Sequence, residues 1–326
     1  MIVGISYDLK SDYISEGYTE EEAAEFDSEE TIAGIENALI ANGYFTERIG
    51  NIRSLLHQLH EGKRWDIVFN ICEGIYGIGR EAQVPAILDV FKIPYTFSDV
   101  LVNSLTLHKG LTKRVIRDLG LPTADFAVVE SIEDIDKINL PFPLFAKPVA
   151  EGTGKGIDPN SMISNFKELK EVCIDRLEHY KQAVLVETYL SGREFTVGII
   201  GSDNESAASG IMEVCYRKHV KDQIYSYHSK ANYKDLIDYS VPENDVVDKC
   251  YEVAVAAWKG LGCRDGGRID LRMDGNNIPN FIEVNPLAGL NPVHSDLPIL
   301  CRMAGTSYEE LIGKIMKSAI KRIQKT

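Results

Sequence analysis

Gly267-Arg268-Ile269-Asp270-Leu271-Arg272 is followed, after a short gap, by Phe281-Ile282-Glu283-Val284-Asn285. Both runs alternate polar with apolar residues, the period of a half-buried strand. Between them, Asp274-Gly275-Asn276-Asn277 is rich in residues that tolerate positive φ, which predicts a hairpin turn. A fold-back centred between Asn276 and Asn277 sets Asp270 opposite Glu283 and Arg268 opposite Asn285, all four on one face. Two carboxylates, an amide and a guanidinium on one face need compensating partners. Oxygen donors of this kind suit Mg²⁺, which binds through a few carboxylates together with substrate phosphates. The plainer alternative is two solvated strands joined by a salt bridge.

Upstream lies Glu151-Gly152-Thr153-Gly154-Lys155-Gly156, directly after Lys147-Pro148. Three alternating glycines let a backbone approach a ligand closely, and Thr153 adds a hydroxyl. The spacing is not that of a Walker A loop, and no dinucleotide fingerprint surrounds it. The segment reads either as a loop over phosphates or as a surface turn. Lys147 ends an apolar strand, where an ammonium needs an anion nearby; Lys109, taken alone, reads as a snorkelling surface lysine. Glu187 closes the apolar run 184–187 and Glu194 follows soon after. Either carboxylate is placed to accept an adenine amine or ribose hydroxyls.

The 326 residues are 44% hydrophobic and 26% charged, an ordinary globular composition of two or three domains. Thirty-five basic against forty-nine acidic residues give a formal charge of −14, which argues against nucleic-acid binding. No run is long enough to span a bilayer, and the opening Met1-Ile2-Val3-Gly4-Ile5-Ser6-Tyr7 reads as a buried strand rather than a leader. A cytoplasmic protein without membrane partners is expected. The six cysteines show no metal-binding spacing and read as reduced, mostly buried thiols.

The first hundred residues alternate strand and helix. Strands are expected over 2–7, 44–49, 66–71 and 93–97. Helices are expected over 31–41, 52–61 and 81–91, the first capped by Asp27 with Glu30. This order predicts a parallel sheet covered on both faces. The acidic, tyrosine-bearing stretch 8–25 reads as a solvated surface face, with a lid over the site as the alternative. Further on, helices are expected over 109–119, 166–179, 248–260 and 307–323, with strands at 184–188 and 194–200.

In their order and spacing these motifs resemble the ATP-grasp superfamily and, within it, the D-alanine–D-alanine ligase family. The resemblance runs through Ile93-Pro94-Tyr95-Thr96, residues 103–113, Phe145-Ala146-Lys147-Pro148, residues 184–197 and residues 267–270. It continues through Ile282-Glu283-Val284-Asn285 to Gly289 and His294-Ser295-Asp296-Leu297-Pro298. It implies an α/β fold of the ATP-grasp type: an N-terminal parallel α/β domain (1–105), a central domain bearing the glycine-rich loop (106–190) and a C-terminal domain with the metal and substrate site (191–326), the last two clasping ATP.

By the same resemblance, ATP contacts fall to Lys109, Lys147, Glu151, Gly154, Glu187, Glu194 and Lys230. Two Mg²⁺ ions, with Mn²⁺ as the alternative, fall to Asp270, Glu283 and Asn285. Arg268 and the N–H of Gly289 match oxyanion stabilisers, and Thr153 stands at the loop serine. Ser295 matches a contact to the second substrate's carboxylate. The first substrate's glutamate contact falls to Glu25 or Asp27, or is absent from this chain. A homodimer is implied as well.

Several positions depart from the family pattern. Its His-Gly is here Cys72-Glu73-Gly74, and its Gly-Glu-Asp-Gly is Gly79-Arg80-Glu81-Ala82. The loop lysine–tyrosine pair is Lys230-Ala231, with Tyr233 nearby, and the lysine after the hinge glutamate is Thr188. These departures surround the expected amino-acid site, where a carboxylate at Glu73 favours a cationic or amine-bearing group. The expected reaction is ATP-dependent joining of two amino acids, with D-alanine as the default pair and other amino acids or peptides as alternatives. The competing class is an ATP-binding switch without ligase activity.

Overall fold

The computed structural model describes residues 1–217 and 237–324. Its first part runs β1 (Ile2–Tyr7), α1 (Lys10–Ser15), α2 (Glu29–Ala41), β2 (Phe45–Gly50), α3 (Ile52–His60), β3 (Ile67–Ile71) and α4 (Gln83–Val90). The three strands form a parallel sheet in the order β2-β1-β3. Successive residues of a strand face opposite sides, so β3 feeds two cores. Ile67, Phe69 and Ile71 pack with α2, whereas Val68 packs with Leu55 and Leu59 of α3 and Leu88 of α4.

Two expectations fail here for local reasons. Ser28, not Asp27, caps α2 by accepting from the Thr31 N–H. Residues 93–97 form no strand, because Pro94 has no N–H to donate. They make a single parallel bridge, Val68 to Tyr95, before Phe97 turns away at φ 70 and donates its N–H to Asp265.

The middle of the chain contains α5 (Val100–Leu107), α6 (Lys109–Asp118), β4 (Phe126–Val129), α7 (Ile132–Ile135), β5 (Leu144–Pro148), β6 (Met162–Ile163), α8 (Phe166–Tyr180) and β7 (Val184–Thr188). An antiparallel sheet in the order β4-β7-β5-β6 is covered by Leu169, Val172 and Cys173 of α8.

The remainder supplies β8 (Glu194–Ile200), β9 (Ala207–Tyr216), β10 (Ile237–Ser240), α9 (Asn244–Leu261), β11 (Gly266–Met273), β12 (Pro279–Asn285), α10 (Asp296–Met303) and α11 (Tyr308–Ile323). Its antiparallel sheet has the order β10-β9-β8-β11-β12. One face packs on α9, centred on the fully buried Trp258. Leu297 and Leu300 of α10 and Ile312, Ile315 and Met316 of α11 instead join the core of the N-terminal sheet. That shared core joins the N-terminal sheet to α10, α11 and the segment after β12, through Leu287, Ala288 and Leu290. Among the described residues, no helix is long and apolar enough to cross a membrane.

Candidate active site

The hairpin β11–β12 sets Arg268 opposite Asn285 and Asp270 opposite Glu283, as the alternation predicts. The turn is nevertheless centred one half-residue earlier than expected. The Asp274 N–H donates to the Ile278 carbonyl, and the Asp274 carboxylate accepts from the N–H groups of Asn276 and Ile278. Leu271 therefore faces Phe281, and a bulge at Ile282 restores the register for the functional pair.

On this face Arg268 donates to both carboxylate oxygens of Asp270 and lies 3.5 Å from Asp296. Thr196, across from Asp270 on β8, donates its hydroxyl to Asp270 at 2.9 Å. Asn285 directs its Nδ2 to Asp270 at 3.4 Å, which leaves its amide oxygen as a donor atom toward the cavity. Two carboxylates and an amide oxygen, side by side on adjacent strands, form the hard-oxygen set that suits Mg²⁺. The solvated-strand alternative does not apply, since Arg268 and Asp270 are each 8% exposed.

Three lysines gather beside this face. Lys109 and Lys113 stand one turn apart on α6, and Lys147 ends β5. Lys113 meets Glu187 at 2.7 Å; Lys147 meets Glu187 at 3.3 Å and Glu283 at 3.8 Å; Lys109 meets Glu283 at 3.7 Å. Lys109 also donates to the Glu151 carbonyl. Burial opposes every one of these charges. For Lys109 and Lys113 it prevails and lowers the pKa. For Lys147 the carboxylates of Glu187 and Glu283 outweigh it, so that ammonium titrates above its ordinary value. Likewise burial pushes Glu187 up, but Lys113 and Lys147 bring it below the carboxylate range. Lys109 is thus no snorkelling surface residue.

The glycine-rich loop is held from the N-terminal side. The Gly152 N–H donates to Glu25, whose other oxygen accepts from Arg80 at 2.8 Å; Arg80 also donates to the Ala150 carbonyl. A Cβ on Gly152 would come within 2.6 Å of the Glu25 carboxylate, so a side chain here would have to push Glu25 aside. Lys155 folds back to Glu151 at 3.0 Å, and Gln182 donates to Glu151 at 2.6 Å. Thr153 adopts φ 54, an unusual conformation for a β-branched residue, between Gly152 and Gly154.

Stretch 8–25 is therefore more than the solvated face expected of it. Tyr13, Ala23 and Phe26 form a small core, and Tyr13 donates to the buried Asp8. This core presents Glu25 to the loop, while Glu16, Glu20 and Glu22 remain exposed.

Two adjoining cavities organise these residues. The larger, about 340 Å³, is lined by Glu25, Glu73, Lys109, Glu151, Thr153, Arg268, Glu283, Asn285, Gly289 and Ser295. The smaller, about 80 Å³, is lined by Lys109, Lys147, Glu151, Gly154, Glu187, Glu194, Asp270 and Glu283. Lys109, Glu151 and Glu283 belong to both and mark where the cavities meet. Every site residue expected from the sequence lines one of them except Lys230, which with Ala231 and Tyr233 lies outside the described residues. Ser295 accepts from the Asn291 N–H and can still donate its hydroxyl.

The same order of elements recurs in known proteins. The family model described as D-ala D-ala ligase C-terminus matches residues 115–317. A D-alanine–D-alanine ligase of Bordetella avium is 31% identical over 264 residues, covering 79% of this chain and 80% of the relative. Another, from Haemophilus ducreyi, is 32% identical over 295 residues, covering 88% of this chain and 91% of the relative. The chain belongs to the D-alanine–D-alanine ligase family. This is a family of ATP-dependent ligases, and the fold agrees. A crystal structure of D-alanine–D-alanine ligase from Bacillus anthracis complexed with ATP superposes with a TM-score of 0.74 at 21% identity, over 100% of this chain and 99% of that one.

Several residues of this family member's site escape a reading by motif. Lys113 is signalled only by its spacing of four from Lys109, which puts both on one helix face. Arg80 and Glu81 stand where the family pattern is lost. Asp27 and Glu81 line the large cavity, and burial pushes each carboxyl up to about 7. The Glu73 carboxyl is raised as well, by burial first and then by the nearby charge of Glu81. Glu25 is the exception: burial raises it, but Arg80 holds it below the ordinary value.

Proposed function

We propose that this protein is an ATP-dependent carboxylate–amine ligase that joins two amino acids through an acyl phosphate. The junction of the two cavities carries the reading. There Lys109 and Lys147 converge on Glu283, beside Asp270 and Asn285, in the buried surroundings that phosphoryl transfer requires.

A carboxylate resists attack by an amine, because its charge repels the nucleophile and oxide is a poor leaving group. In the first step, a substrate carboxylate oxygen attacks the γ-phosphorus of ATP. The new C–O–P link forms as the bond between the γ-phosphorus and the bridging oxygen breaks, and ADP leaves. Lys109 and Lys147 exchange their carboxylate partners for phosphate oxygens as the nucleotide enters. Magnesium held by Asp270, Glu283 and Asn285 would supply neutralisation of phosphate charge. In the second step, the amine of the other amino acid attacks the acyl carbon and the C–O bond to phosphate breaks. Phosphate departs, and the amine proton passes to it or to water. Arg268 and the Gly289 N–H, both lining this cavity, supply donors for the tetrahedral oxyanion. Ser295 supplies a hydroxyl for the second substrate's carboxylate.

The test is phosphate release and product mass with ATP, Mg²⁺ and pairs of D- and L-amino acids. Amino-acid-dependent release with a dipeptide product is expected. ATP hydrolysis that no amino acid stimulates would overturn the ligase reading. Chromatographic mass in solution checks the homodimer that the family resemblance implies.

A further inference from the structure

Glu187 sits between two ammonium groups that differ in their surroundings. Lys147, on the neighbouring strand β5, lines the smaller cavity and lies 3.3 Å from one Glu187 oxygen and 3.8 Å from Glu283. Lys113, on α6, is wholly buried and meets the other Glu187 oxygen at 2.7 Å. Lys113 also donates to the Thr123 hydroxyl at 2.8 Å and to the Phe281 carbonyl at 3.4 Å, so its three N–H groups are all committed within the protein. An ammonium held in this way cannot turn to a ligand, whereas one shared between two carboxylates, as Lys147 is, can exchange them for phosphate oxygens. Phe145 is the partner of Glu187 across the ladder, so Phe145, Lys147 and Glu187 share one face of the sheet. The rings of Phe145 and Tyr189 stack 6.4 Å apart, and with Leu190 and Ile282 they give the small cavity an apolar, aromatic lining beside the carboxylate. Flat apolar walls around one buried carboxylate suit a planar base that carries an amino group.

We infer that Lys113 is a positioning residue for base selection: it fixes Glu187 as an ionised acceptor at the small cavity, where Glu187 takes a hydrogen bond from the exocyclic amine of a 6-aminopurine. The inference rests on the nucleotide half of the ligase reading. Glu187 is 4% exposed, and burial without a cation drives a proton onto such a carboxylate. When Lys147 turns to phosphate, Lys113 is the cation that remains. An ionised carboxylate accepts from an amine and repels a 6-oxo group in the same place. A carboxyl that regains its proton can donate to that 6-oxo group. Loss of Lys113 therefore changes which base is preferred as well as how tightly it is held.

ADP and IDP have the same ribose and phosphates and differ in the 6-amino against the 6-oxo group, and neither carries the γ-phosphoryl group, so they separate base reading from turnover. Calorimetric titration of the full chain with each, in the presence of Mg²⁺, should show ADP binding at least ~10-fold tighter than IDP. Lys113→Met should bring that ratio below about threefold, and Glu187→Gln should do the same. The double variant Lys113→Met/Glu187→Gln removes both charges together and guards against a single variant that fails to fold. Its ratio should equal that of Glu187→Gln alone, because Lys113 acts through Glu187. A Lys113→Met protein that binds both nucleotides more weakly but keeps the ratio would overturn the inference. So would a double variant whose ratio differs from that of Glu187→Gln, or an unmodified protein without preference for ADP. Amino-acid-stimulated phosphate release with ATP separates this proposal from the one beneath it. Stimulated release with equal affinity for ADP and IDP keeps the ligase and overturns the role of Lys113. A preference for ADP that depends on Lys113, without stimulated release, supports that role and overturns the ligase.

Discussion

The end of the cleft proposed to hold phosphates and the part proposed to hold amino acids solve the burial of charge in opposite ways. At the phosphate end, Lys113, Lys147 and Lys109 each lie within 4 Å of Glu187 or Glu283, so the cations are held in place before any nucleotide arrives. At the amino-acid end, carboxyls exceed cations, and Glu73 and Glu81 have none of their own. One end is cross-linked by ion pairs and the other keeps carboxyls without a cation within ion-pair distance. A site of the first kind is preorganised when empty; a site of the second kind carries a standing electrostatic cost.

The sharpest way to break this comparison is to remove a cation from the preassembled end. Lys147→Ala withdraws the lysine that bridges Glu187 and Glu283 and leaves Lys113 to hold Glu187 alone. Turnover should fall by about 10³-fold or more, read as phosphate release at saturating ATP. A loss below tenfold would show that Lys109 alone neutralises the phosphates. Next in size is Arg268→Ala. It removes an oxyanion donor, and it also leaves Asp270 without its guanidinium partner. The expected loss is about 10²–10³ in kcat, of order 3–4 kcal/mol, with a smaller change in KM for ATP. A variant that changed KM for ATP and spared kcat would reassign Arg268 to nucleotide binding.

The two ends also differ in how far the sequence revealed them. The phosphate end was legible because strict alternation fixes which face a strand residue takes, so Asp270 and Glu283 could be paired on paper. The half-residue error at the turn did no harm, because the bulge at Ile282 returned the register to the functional pair. Nothing in the periodicity announces that bulge. Strand β9 was missed because its first half, Ala207-Ala208-Ser209-Gly210, has poor strand propensity and is held by pairing with β8. The amino-acid end was legible only as a set of departures. Arg80 and Glu25 are 55 residues apart, and Glu25 lies in an acidic run whose composition reads as solvent-facing. What turns Glu25 inward is the small core of Tyr13, Ala23 and Phe26, a tertiary fact that no local pattern carries.

Arg80 is where the two ends touch, since it joins Glu25 to the Ala150 carbonyl of the glycine-rich loop. Arg80→Leu keeps much of the buried volume but frees Glu25 from its cation. Glu25 then joins the unpaired carboxyls, and its pKa should rise. The expected result is a KM for the first amino acid raised roughly 10-fold, with KM for ATP changed less than threefold. Equal increases in both would mean that Arg80 supports the loop as a whole rather than Glu25.

The smallest effect tests the standing cost directly. Burial holds the Glu81 carboxyl at about 7, whereas an unfolded chain releases that proton near 4.3. Between these values the folded state binds a proton that the unfolded state has lost, so stability falls as pH rises through this window and stays lost above it. Asp27, also about 7, and Glu73, likewise raised, act with the same sign; Arg80 and Lys109 oppose them, and Glu25 is already paired. Glu81→Gln removes one titrating member and leaves the rest. Its melting temperature should match the unmodified protein near pH 5 and exceed it by roughly 2–4 °C near pH 8. A gap that is constant across pH would mean that Glu81 titrates as a solvated carboxylate. The contrast between an ion-paired end and one with unpartnered carboxyls would then fail at its weakest member.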